Sequence, residues 1–157
     1  VSESLPNSRD CFVCGIDNSH GFALKFRRED GRVFTYATLP QWTVGFRETA
    51  HGGIVATLLD EAMSWAATCH AQGPTATAEM TVRFRRPTPV DQELRLEAEV
   101  VKARGALLYV EARLLQADGQ LCANSSGKHM KLPKSADEKF ELVYGPEDVR
   151  IFKGNDG

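Results

Sequence analysis

The sequence predicts an α+β fold in which a curved antiparallel sheet of five to six strands wraps around one long central helix. Three observations predict it. One stretch carries helical periodicity, from Gly52-Gly53 to about Ala71. Every long segment after it alternates apolar and polar residues, and short turns rich in Gly, Asp or Pro separate those segments. A single helix laid on a single antiparallel sheet buries the apolar faces of both.

Residues 1–22 read as an irregular lead-in, punctuated by Pro6, Gly15 and Gly21. Strands are expected over residues 23–28 and 32–39, joined by Glu29-Asp30-Gly31, whose Asp-Gly pair favours a tight hairpin. Residues 40–50 are expected to be a loop. In the helix that follows, Ile54, Val55, Leu58, Leu59, Ala62, Trp65 and Ala66 share one arc, extended by Met63. Thr57, Asp60, Glu61, Ser64 and Thr68 occupy the remainder. The apolar arc is wider than one flat sheet needs, so the sheet is expected to curve around it. Gly73-Pro74 ends the helix.

Met80, Val82 and Phe84 then alternate with Thr81, Arg83 and Arg85 until Pro87 and Pro89 close the strand. Two further alternating runs follow, Leu94, Leu96, Ala98 and Val100, then Leu108, Val110, Ala112 and Leu114. A last strand is expected over residues 121–131, after the Asp118-Gly119 turn. Residues 23–132 therefore read as one domain. Residues 133–157 read as a charged tail, with a short helix near residues 147–151 and no assigned function.

The formal net charge of −2 over 157 residues argues against a nucleic-acid partner, which requires a basic stripe. Asp60 and Glu61 interrupt the most apolar segment, so no membrane span is expected. Residues 1–10 show no apolar leader. The four cysteines, with Cys69 in the helix and Cys122 in a strand, make a poor disulfide framework, and a reduced, cytoplasmic protein is expected. Cys11-x-x-Cys14 has no second pair to complete a four-ligand zinc site and reads as the packing of a small apolar pair. No metal is expected.

The chemistry concentrates in His51-Gly52-Gly53 and the helix it opens. Free N–H groups at a helix start, together with the helix dipole, favour negative charge and would stabilise the oxyanion of an acyl-transfer intermediate. Asp60, two turns in, sits at the edge of an apolar arc, where a carboxylate needs partners or a function. It could serve as a general base toward water or as a nucleophile. Glu61 points about 100° away and reads as paired or solvated. Gly-Gly is also a common turn, and two acids on an amphipathic helix are also ordinary surface residues.

The His51-Gly52-Gly53 motif, with an acid nine residues after the His, resembles the hotdog-fold acyl-CoA thioesterases, in particular their PaaI-like branch. The segment from Thr77 to the Thr81-Val82-Arg83-Phe84-Arg85-Arg86-Pro87 run and the Cys11-Phe12-Val13-Cys14-Gly15 lead-in extend the likeness to residues 11–132. The resemblance implies hydrolysis of an acyl-CoA thioester to a carboxylic acid and free CoA. It implies Asp60 as the catalytic carboxylate, the Gly53 amide as oxyanion donor, and His51 positioning that turn. Thr77 would hold the catalytic water or the acid; Thr81 shares its strand face in a regular strand. Gly52, Arg85, Arg86 and Arg104 are the candidate substrate contacts, the arginines for CoA phosphates. That family often carries Asn or Gln six residues before the motif His. This chain has Gly45 there, with Gln41 as the alternative polar side chain.

No cofactor is expected beyond the CoA of the substrate, and the assembly is expected to be a homodimer at least, with a homotetramer anticipated. Two other classes compete. One is a non-catalytic hotdog protein that binds acyl-CoA, whose mark would be loss of the helix acid. The other is a hydratase, which would want a different spacing of His and Asp.

Overall fold

The computed structural model describes residues 1–137 and Tyr144. In chain order the elements are β1 (Glu3–Ser4), β2 (Arg27–Glu29), β3 (Arg32–Thr38), β4 (Val44–Phe46), β5 (Thr49–Ala50), α1 (Gly52–Ala71), β6 (Thr75–Phe84), β7 (Glu93–Arg104), β8 (Leu107–Gln116) and β9 (Leu121–Lys131). Seven strands form one antiparallel sheet in the order β1-β2-β3-β7-β8-β9-β6, and β4 pairs with β5 in a separate hairpin. The long helix on a large antiparallel sheet is the architecture that the periodicities predict.

Alternation decides which side chains enter the core. On α1, Val55, Leu58, Leu59, Ala62, Met63, Trp65 and Ala66 are buried. They meet Leu94, Leu96 and Ala98 of β7 and Leu108, Val110, Ala112 and Leu114 of β8, each successive inward residue two positions on. Each fully buried aliphatic side chain contributes about 2 kcal/mol. The lead-in adds Leu5, Val13 and Cys14 to this core.

Four local differences from the sequence reading have physical causes. The sheet gains a seventh strand because the two-residue β1 pairs with β2. The strand expected from residue 23 begins only at Arg27: Ala23 adopts φ 49° and the Leu24 N–H donates to the Val13 carbonyl, tying this stretch to the lead-in. The 40–50 loop contains a 3-10 turn, Gln41–Thr43, followed by the β4–β5 hairpin. Gln72, at φ 55°, takes the left-handed position that ends α1, one residue before Gly73.

A fifth difference, in β6, matters most for the site. Thr77 pairs with His129 and Glu79 with Lys128, so Ala78 is an extra residue, a β-bulge. Beyond the bulge, Met80 and Val82 lie opposite the inward-facing Gly127 and Ser125, while Thr81 lies opposite the exposed Ser126. Thr77 and Thr81 therefore do not share a face: the bulge turns Thr77 inward and leaves Thr81 outward. The short helix expected near residues 147–151 lies outside the described residues. Among the described residues no helix is long and apolar enough to cross a membrane.

Candidate active site

His51 caps α1. Its Nδ1 accepts from the Gly53 N–H at 2.9 Å, and its carbonyl accepts from Ile54 and Val55 at 2.9 and 3.2 Å. The Gly53 amide assigned to the oxyanion is thus engaged by the imidazole. Gly52 keeps the first-turn N–H that has no hydrogen-bond partner among the described residues. Gly45 explains why no Asn or Gln precedes the motif here: a Cβ at that position would lie 2.8 Å from the His51 Cα. The β4–β5 hairpin presses bare backbone against the cap instead. Gln41 does not replace the missing amide, because its side chain donates to Asp91.

Asp60 is half-buried, and its Oδ1 accepts from the Thr77 hydroxyl at 2.8 Å. The bulge at Ala78 makes this contact, since regular alternation back from Met80 would turn Thr77 outward. Thr57, one turn before Asp60, donates to the Gly53 carbonyl at 2.8 Å and braces the first turn.

Sequence reasoning missed His129. It is the cross-strand partner of Thr77 and of Leu108, is fully buried, and finds no hydrogen-bond partner for either ring nitrogen among the described residues. Burial holds its imidazole below the ordinary value, against the pull of the nearby Asp60 carboxylate. The available signal was register: counting two residues at a time from Ser125 through Gly127 places His129 inward.

A depressed folded pKa contributes stability that is complete above the unfolded value of about 6.5 and is lost as pH falls. The thermal midpoint of the wild type is expected to drop between pH 7 and pH 5, and His129→Leu is expected to flatten that drop. Equal slopes in scanning calorimetry would assign the acid sensitivity to other groups.

Glu61 lies on the other flank of α1. The Trp65 Nε1–H donates to its Oε1 at 3.1 Å and the Cys11 thiol donates at 3.4 Å. It is therefore paired rather than solvated, and burial pushes its carboxyl up to about 7.

Arg85 and Arg86 follow β6 at the end nearest the helix start. With Thr49, Gly52, Phe84 and Thr88 they line an open groove of about 400 Å³. Arg85 Nε donates to Asn124 and Arg86 Nη1 to the Leu121 carbonyl, at 3.0 and 3.2 Å. Arg104 is not gathered with them. It sits opposite Leu107, which pairs with Met130 and so lines up with Ala76, at the other end of β6. Of the side chains with aromatic or thioether character near the motif, Met63 and Trp65 are core, whereas Trp42 is exposed and stacks on Phe22, and Phe46 is exposed.

Residues 48–123 match the thioesterase superfamily. Over 85 residues the chain is 31% identical to acyl-coenzyme A thioesterase 13 of Homo sapiens, covering 53% of this chain and 59% of that one. The chain thus spans about three fifths of the length of the curated relatives it matches. A solved thioesterase superfamily protein superposes with a TM-score of 0.74 at 27% identity, covering 78% of this chain and 61% of that chain. The E. coli PaaI protein from the phenylacetic acid degradation operon superposes at 0.65 and 19% identity, covering 71% of this chain and 81% of that one. The fold is the hotdog fold of these proteins.

Proposed function

We propose, on the match of residues 48–123 to the thioesterase superfamily, that the chain hydrolyses an acyl-CoA thioester, with Asp60 as its catalytic carboxylate. The observation that carries the proposal is the Asp60–Thr77 hydrogen bond. The Thr77 hydroxyl fixes one carboxylate oxygen, which leaves the other to take a proton from water. The water oxygen adds to the thioester carbonyl carbon while its proton passes to Asp60. The carbonyl oxygen gathers negative charge, which the Gly52 N–H and the helix dipole stabilise. The C–S bond then breaks, and CoA leaves with the proton from Asp60.

Gly53 joins as a second donor when the developing oxyanion displaces the His51 imidazole. In the resting chain that imidazole keeps the turn closed and pre-shaped. Arg85 and Arg86 each keep guanidinium N–H groups available for the CoA phosphates at the mouth of the groove.

One chain does not complete this site. Gly53 and Asp60 lie on nearly the same side of α1 but about 10 Å apart along its axis, too far to meet one reacting carbon. The acid of one copy is therefore taken to meet the helix start of another, and the minimum assembly is a homodimer, with a homotetramer as a pair of such dimers. Arg104 would reach the groove only from a second copy. Light scattering on a size-exclusion column that returned only monomer would remove this reading.

The direct test is a panel of acyl-CoAs spanning short, medium, long and aryl acyl groups, with released thiol as the readout. At least one substrate is expected to reach a kcat/KM of ~10⁴ M⁻¹s⁻¹ or more. Binding of several acyl-CoAs with no thiol released from any would make the protein a binding module.

A further inference from the structure

The lead-in motif Cys11-x-x-Cys14 and the helix residue Glu61 play no part in the hydrolysis above, yet the fold brings them together. One ligand atom from each, the two sulfurs and a carboxylate oxygen, all lie within 4.8 Å of one another. Tetrahedral zinc, with Zn–S near 2.3 Å and Zn–O near 2.0 Å, would hold such atoms roughly 3.5–3.8 Å apart. Small rotations of three side chains therefore suffice. The sequence offered no second cysteine pair, but the third ligand is a carboxylate from α1, far along the chain.

The surroundings are shaped for this. The Gly15 N–H donates to the Cys11 carbonyl at 2.8 Å, and a Cβ at Gly15 would sit 2.6 Å from the Cys11 nitrogen and 2.7 Å from the Arg9 carbonyl, so only glycine closes the turn. The closed turn sets both sulfurs side by side and points the Val13 N–H at the Cys11 Sγ, 3.3 Å away. N–H donation of this kind stabilises a metal-bound thiolate. Asn7 anchors the turn by donating to the Cys14 carbonyl at 2.7 Å and the Leu24 carbonyl at 3.3 Å. Trp65 Nε1–H, on Glu61 Oε1, orients the carboxylate in the way that outer partners orient metal ligands.

Cys14 is buried, Cys11 and Glu61 are partly so, and no lysine or arginine among the described residues pairs with Glu61. Three potential anions converge in a poorly solvated place with no basic side chain among the described residues paired to Glu61. A divalent, borderline-soft cation satisfies all three, and the two-sulfur, one-oxygen set suits zinc better than the hard magnesium or calcium ions.

We propose that Cys11, Cys14 and Glu61, the ligands present among the described residues, hold a zinc ion that clips the N-terminal lead-in to α1 on a face about 100° around the helix from Asp60. Such a clip closes a loop of more than 40 residues between Cys14 and Glu61. Its role is structural: it anchors the lead-in to α1 at Glu61, the residue next to Asp60.

The test uses the full chain, purified under reducing conditions and loaded with zinc alone. Elemental analysis is expected to find about one zinc per chain, and cobalt in its place is expected to produce sulfur-to-cobalt charge-transfer absorption. The Cys11→Ser/Cys14→Ser double variant is expected to lose both signals, and Glu61→Gln to weaken zinc affinity at least ~10-fold. Stripping the wild type with a chelator is expected to lower its thermal midpoint by about 5 °C.

A wild type with reduced cysteines that stays free of zinc overturns the proposal, as does a double variant that keeps its zinc. Unchanged affinity in Glu61→Gln overturns the assignment of the third ligand. Should the double variant fail to fold, the cobalt spectrum of the wild type decides alone, because a site without thiolates gives no such absorption. None of these readouts depends on thioester hydrolysis.

Discussion

Asp60→Asn is expected to lower kcat for acyl-CoA hydrolysis at least ~100-fold, the scale of a lost general base, while leaving the thermal midpoint nearly unchanged. The two expectations belong together. The Asp60 Oδ1 accepts from the Thr77 hydroxyl, and an asparagine carbonyl oxygen can accept the same hydrogen bond in the same place. The variant therefore keeps the local geometry and removes only the ability to hold a proton. Wild-type turnover in the variant, measured as released thiol, would move the chemistry away from Asp60. Single-turnover hydrolysis in isotopically heavy water separates two roles of the carboxylate: label entering Asp60 marks an anhydride intermediate, and label confined to the product acid marks a general base.

The second large effect concerns two chains at once. Gly52→Pro deletes the first-turn N–H without disturbing the helix, because proline is well tolerated at the first helical position. His51, at φ −59° and ψ 136°, already has the extended backbone that a following proline demands. Loss of one oxyanion donor is expected to cost ~10² to 10³ in kcat. Gly52→Pro and Asp60→Asn should then each be nearly inactive alone.

If acid and helix start come from different copies, unfolding and reassembling the two variants together restores activity. In a mixed dimer, one of the two sites receives an intact acid and an intact helix start. Random assembly makes about half of all dimers mixed, so recovery of roughly a quarter of wild-type activity is expected. Rescue that never exceeds the sum of the two separate variants would place the whole site within one chain.

Much of this fold was legible because side-chain period follows backbone geometry. The arc from Ile54 to Ala66 and the alternating runs of β7 and β8 each state one element, and their buried apolar residues are the ones the periods select. The helix start was legible for the same reason, since His51-Gly52-Gly53 is a local signal. What stayed hidden was non-local. Strict alternation treats Thr77 and Thr81 as equivalent, and only pairing with β9 reveals the extra residue between them. His129 looks like an ordinary polar residue until its register beside Thr77 is known. Glu61 shows its partner only when the lead-in folds back onto α1, because Cys11 lies 50 residues away in sequence. That the His51 imidazole engages the Gly53 N–H and leaves the Gly52 N–H free cannot be read from a motif, because the motif does not give the imidazole's direction.

The bulge at Ala78 also bears on how this strand can change through evolution. A hydroxyl that reaches Asp60 by way of an insertion occupies a different position from one delivered by an unbroken ladder. A relative lacking the added residue would need its serine or threonine one place nearer Met80. The useful unit of comparison among such proteins is therefore the phase of the strand, since an alignment that ignores the bulge sets the hydroxyl one position out of phase.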